Sequence, residues 1–104
     1  MLLVMNINNT NTMLGLYQNN EWIANWRIAS DRAKLPDEYA MLLRSLFEYE
    51  GLNREEISGV ALSSVVPPLT TSFVELSQRF ANHDPLVVAH DIKSLEKALT
   101  DYPA

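Results

Sequence analysis

Cysteine is missing from all 104 residues, which excludes a disulfide framework, a thiolate nucleophile and a cysteine-based zinc site. Basic clusters are missing too. The eight Lys and Arg residues are scattered, against 13 Asp and Glu, for a formal net charge of −5. Nucleic-acid phosphates are gripped by clustered cations, so no nucleic-acid partner is expected. Only two histidines occur, His83 and His90, and neither has a metal-ligand partner at helical spacing; both read as surface or loop residues. The apolar start, Met1 to Met5, meets Asn6 without a basic flank or a long apolar core. It is too short for a signal peptide or a membrane span, which leaves no membrane partner and the cytoplasm as the expected compartment.

Hydrophobic residues make up 47% of the chain and charged residues 20%, the composition of one folded globular domain over residues 1–104. Leu2 to Met5 is a continuous apolar run, as in a strand buried on both faces. A polar cluster, Asn6 to Thr12, follows it. Met13 to Tyr17 reads as a second strand with Gly15 at its centre, and Gln18-Asn19-Asn20-Glu21 as a hairpin turn. Trp22 to Ile28 is a third strand. Strict alternation puts Trp22, Ala24, Trp26 and Ile28 on one face and Ile23, Asn25 and Arg27 on the other.

Pro36-Asp37-Glu38 opens a helix whose face carries Tyr39, Leu42, Leu43, Leu46 and Phe47, and Gly51 closes it. Gly59 to Leu62 is a short strand. Val65-Val66-Pro67-Pro68 stops it and leads into a helix over Leu69 to Ala81, with Leu69, Phe73, Leu76 and Phe80 on one face. Leu86 to Val88 is a fifth strand, and Asp91 caps a terminal helix carrying Ile92, Leu95 and Leu99. The order is β-β-β-α-β-α-β plus that helix. Tight turns make the first three strands an antiparallel meander, and the helices make the later strands parallel crossovers. This α/β order is that of a ribonuclease-H-like domain with a mixed five-stranded sheet, the half domain paired in the actin-like ATPase superfamily.

The segment Asn6-Ile7-Asn8-Asn9-Thr10-Asn11-Thr12 is the informative one. A polar turn between buried strands can aim N–H groups and short amides or hydroxyls at phosphate oxygens. Asn and Thr are also ordinary turn residues, so by itself the segment reads more simply as a plain β-turn.

Five ordered blocks decide between these readings: Asn9-Thr10-Asn11-Thr12, Trp26-Arg27-Ile28, Asp37-Glu38-Tyr39, Leu42 to Phe47, and Ser63-Ser64-Val65-Val66-Pro67-Pro68. Together they resemble the amino-terminal half of type III pantothenate kinases. The resemblance implies ATP-dependent phosphorylation of pantothenate in coenzyme A synthesis, by a cytoplasmic dimer using Mg²⁺ and in many members a monovalent cation. It makes Asn6, Asn8, Asn9, Thr10, Asn11 and Thr12 the phosphate-binding residues, with Asn6 also at the metal position. It implies a homodimer, or a second kinase-like chain, as partner.

The sequence departs from the family pattern where the chemistry lies. Asn6 replaces an aspartate and Asn8 a glycine. Lys93 survives from a K-T-G segment, but Ser94 and Leu95 do not match it, and Thr100 stands where a substrate-contacting tyrosine is expected. The family's catalytic aspartate lies in a G-A-D-R motif that would follow Ala104, so the chain alone is expected to be an incomplete enzyme. Leu95, Ala98 and Leu99 suggest a tail rebuilt to close a free-standing half domain, as in a shortened gene. One alternative is a non-catalytic nucleotide-binding or regulatory module that pairs with itself or with a kinase chain. Another is a stable remnant without a selected activity.

Overall fold

The structure, a computed structural model, describes residues 1–88. The terminal helix expected from Asp91, with His90, Lys93, Ser94, Leu95 and Thr100, lies outside them.

β1 (Leu2–Ile7), β2 (Asn11–Gln18) and β3 (Glu21–Ala29) form the meander. α1 (Pro36–Glu50), β4 (Gly59–Ser64), α2 (Pro67–Phe80) and β5 (Leu86–Val87) complete the described chain. The sheet order is β3-β2-β1-β4-β5. β1 is antiparallel to β2 and parallel to β4, and β4 is parallel to β5. The mixed five-stranded α/β sheet expected from the sequence is present.

Why β1 is apolar from Leu2 to Met5 follows from its central place. Leu3, Met5 and Ile7 enter the main core with Leu14 and Leu16 of β2, Tyr39, Leu43 and Phe47 of α1, and Leu69, Phe73 and Leu76 of α2. Leu2 and Val4 point to the opposite face and join Ala61 and Tyr17. Both helices therefore cover one face of the sheet. Tyr39 packs on Phe73 at 4.7 Å between ring centroids, which ties α1 to α2.

The helix ends obey local chemistry. Glu38 accepts from the Leu35 N–H at 3.0 Å, and Pro36 occupies the first turn, where no N–H is needed. Gly51 (φ 69°) takes the left-handed position that ends α1, with the Leu52 N–H returning to the Phe47 carbonyl at 2.8 Å. The Ser64 hydroxyl accepts from the Val66 N–H at 3.0 Å before Pro67 starts α2, so the Val-Val-Pro-Pro segment does switch strand to helix.

The hairpin between β2 and β3 turns at Asn19 (φ 54°) and Asn20 (φ 62°), two positive φ values that asparagine tolerates. One expectation fails just beyond it. Tyr17 pairs with Trp22 but Leu16 pairs with Ala24, so Ile23 is an extra residue in β3 and forms a bulge. Alternation is reset there. Trp22 lies on the outer face against Tyr17 (5.2 Å) and Gly15, whereas Trp26 enters the core against Phe47 (5.6 Å). The two tryptophans are on opposite faces.

Candidate functional site

β1 and β4 run side by side and end together, and the chain leaves β1 into the turn Asn8–Asn11. Across this pair the connections diverge, with β2 and β3 on one side and β5 on the other. In open α/β sheets the crevice beyond the strand carboxyl ends at such a point is where ligands bind.

The turn is held from below and open above. The Asn8 N–H donates to the Asn11 carbonyl at 3.1 Å. The Ser30 hydroxyl donates to the Asn8 carbonyl at 2.6 Å, and the Ser30 N–H donates to the Thr10 carbonyl at 2.9 Å. Thr12 is fully buried, and its hydroxyl lies 2.8 Å from that of Ser30. Ser30 has one hydroxyl proton; directed at Asn8, it leaves Thr12 as donor of the second bond. Thr12 thus fixes the turn from inside the sheet.

Asn9, Thr10 and Asn11 are exposed. The N–H groups of Asn9 and Thr10 donate to no acceptor among the described residues. The Arg32 guanidinium donates to the Asn9 side-chain oxygen at 3.2 Å. A groove of about 450 Å³ is lined by Asn8, Asn9, Thr10, Asn11, Met13 and Arg27. Arg27 pairs with Met13 across the β2–β3 ladder and makes no ion pair among the described residues. Asn8 does not carry positive φ, so the turn needs no left-handed residue where the family has glycine. The surface is electropositive and rich in N–H donors, the chemistry that holds a phosphate.

Asn6 sits one strand pair deeper, between Met13 and Ser63. It lines a second groove of about 300 Å³ with Val4, Met13, Leu14, Gly15, Trp22 and Asn25. Its side-chain oxygen is buried and accepts no hydrogen bond among the described residues. Neither groove is lined by an acidic side chain, and no cluster of three His, Asp or Glu residues occurs among the described residues. Magnesium is normally held through carboxylate oxygens. The amides and hydroxyls present fit a phosphate and do not fit a divalent cation held by these residues themselves.

The structure gathers Asn8 to Asn11 on one groove, places Asn6 beside it and buries Thr12 beneath it; Thr100 lies outside the described residues. Ser30 and Arg32 join the site without having been singled out from sequence, and Arg27, read there only as part of the Trp26-Arg27-Ile28 block, joins it as well. Arg27 falls opposite Met13 only because the Ile23 bulge shifts the register by one, and that shift has no local sequence signal.

His83 is not a ligand cluster member; its Nε2 lies 3.0 Å from the Ile57 carbonyl. No described helix is long and apolar enough to cross a membrane.

A putative N-acetylglucosamine kinase from Porphyromonas gingivalis has a similar fold, with a TM-score of 0.61 over 86% of this chain and 34% of that one, at 17% identity. In sequence the chain is similar to the type III pantothenate kinase of Exiguobacterium sp. strain AT1b, 44% identical over 94 residues, covering 90% of this chain and 37% of the relative. The Brevibacillus brevis type III pantothenate kinase is 41% identical over 103 residues, covering 99% of this chain and 40% of the relative. The chain thus spans well under half the length of these relatives. Residues 2–103 match the family as a whole, and the chain belongs to the type III pantothenate kinase family.

Proposed function

We propose that this chain supplies the nucleotide-phosphate-binding half of a pantothenate kinase, one that phosphorylates pantothenate from ATP in the cytoplasm once the remainder of the kinase fold is provided. The carrying observation is the exposed Asn8–Asn11 turn, at the carboxyl ends of β1 and β4, flanked by Arg27 and Arg32. In this reading the Asn9 and Thr10 N–H groups and the Arg27 guanidinium orient the phosphates. Ser30 and Thr12 keep the turn from yielding. Phosphoryl transfer depends on such positioning and charge stabilisation. No described residue of the site is placed as a general base, so that group comes from the remainder of the kinase.

Asn6 favours a second reading. A neutral amide at this position supports nucleotide binding without efficient transfer, in a module that pairs with itself or with a kinase chain. Exposed Met13 and Trp22 on the outer sheet face are consistent with such pairing.

The test is phosphate transfer from ATP to pantothenate with the second domain of a full-length relative added in trans. Transfer that requires both chains supports the first reading. Nucleotide binding with no transfer supports the second, and no nucleotide binding contradicts both.

A further inference from the structure

We propose that the Asn8–Asn11 turn takes nucleotide polyphosphate without a divalent cation, metal-free ATP binding more tightly than its magnesium complex. The proposal rests on the phosphate-binding reading above and deepens it by naming the ligand's ionic form.

The argument is one of charge and donors. The groove at the turn is lined by one cation and no acid: Asn8, Asn9, Thr10, Asn11 and Met13 are neutral and Arg27 is positive. Arg27 makes no ion pair among the described residues, so its field is available to a ligand. Arg32, bonded to Asn9, adds a second positive charge at the turn. The N–H groups of Asn9 and Thr10 are further donors directed at no described acceptor. Every one of these groups prefers the more negative ligand.

What magnesium would need is missing from the same surface. The neighbouring groove around Asn6 also has no acid, and the buried Asn6 oxygen is neutral. Mg²⁺ gives up hydration water reluctantly and repays the loss through charged oxygen ligands. Bound to ATP, it would bring positive charge toward Arg27 and cancel part of the ligand's own charge without gaining a carboxylate. Cation repulsion and weaker attraction act in the same direction. The preference for metal-free ligand is electrostatic at an exposed site, so it weakens with added salt.

The experiment is calorimetric titration of the full chain with ATP at fixed low ionic strength, in EDTA and in excess magnesium. Wild type, Arg27→Gln and Asn6→Asp are compared, with inorganic tripolyphosphate as a probe lacking the nucleoside. The expected wild-type affinity is roughly threefold to tenfold higher in EDTA, for ATP and tripolyphosphate alike. Arg27→Gln loses roughly tenfold in EDTA and with it most of the preference. Asn6→Asp shifts the preference toward the magnesium complex. Wild-type binding that requires magnesium overturns the inference and leaves the phosphate-binding reading standing. No binding of either probe under either condition, with circular dichroism showing a folded chain, overturns both.

Discussion

The Ser30 hydroxyl donates to the Asn8 carbonyl across 2.6 Å, joining the end of β3 to the first residue of the candidate phosphate turn. The same oxygen receives the buried Thr12 hydroxyl at 2.8 Å. Ser30→Ala removes both bonds and leaves a fully buried hydroxyl without its partner, a loss of about 1–3 kcal/mol in urea denaturation. Thr12→Val in the Ser30→Ala background recovers part of it, because removing both polar partners is cheaper than stranding one. No recovery would show that the pair does not act together.

Gly15 is required by Trp22. A Cβ at Gly15 would lie 2.5 Å and 2.9 Å from two carbons of the indole ring, so Gly15→Ala must push the ring aside. Trp22 is 48% exposed and able to move, which keeps the expected cost near 1 kcal/mol, at the low end for overpacking. The cost falls in a Trp22→Ala background, and with Trp22 present Gly15→Ala shifts its fluorescence toward that of a more solvated indole. Equal costs in both backgrounds would separate Gly15 from Trp22.

This contact also marks a limit of sequence reading. The strand order, both helices and the Asn19-Asn20 turn are written in apolar periodicity, proline, glycine and asparagine, and they appear within a few residues of where the pattern puts them. The face of Trp22 is not. Alternation within one strand carries no information about the extra residue Ile23, because a bulge is a property of the pairing between two strands. The site divides in the same way. Asn8 to Asn11 stand out as a polar turn between apolar strands. Ser30 and Arg32 reach the turn only through tertiary approach, from the loop beyond β3, and leave no local signal.

Tyr39 gives a pH prediction. Its buried hydroxyl accepts from the Asp31 N–H and donates to the Asp31 carbonyl, both at 3.0 Å. Burial pushes the phenol above its ordinary value of 10.0, with the Asp31 hydrogen bond opposing and the Asp31 and Glu38 charges adding to the rise. The folded chain then holds its proton more tightly than the unfolded chain does. This contribution is fully present below pH 10 and is lost as pH rises from there through the folded value. Tyr39→Phe costs about 1–2 kcal/mol at neutral pH and flattens the decline above pH 10. Parallel stability curves for the two proteins between neutral and alkaline pH would contradict this.

The central claim is that the Asn8–Asn11 turn receives the phosphates of a nucleotide. Amide resonances followed by NMR during an ATP titration test it most directly. The account predicts that the Asn9 and Thr10 N–H signals move first and furthest, with Arg27 side-chain signals following on the same binding curve and all changes reduced in Arg27→Gln. Saturable shifts centred elsewhere in the chain, with Asn9 and Thr10 unmoved, would contradict it.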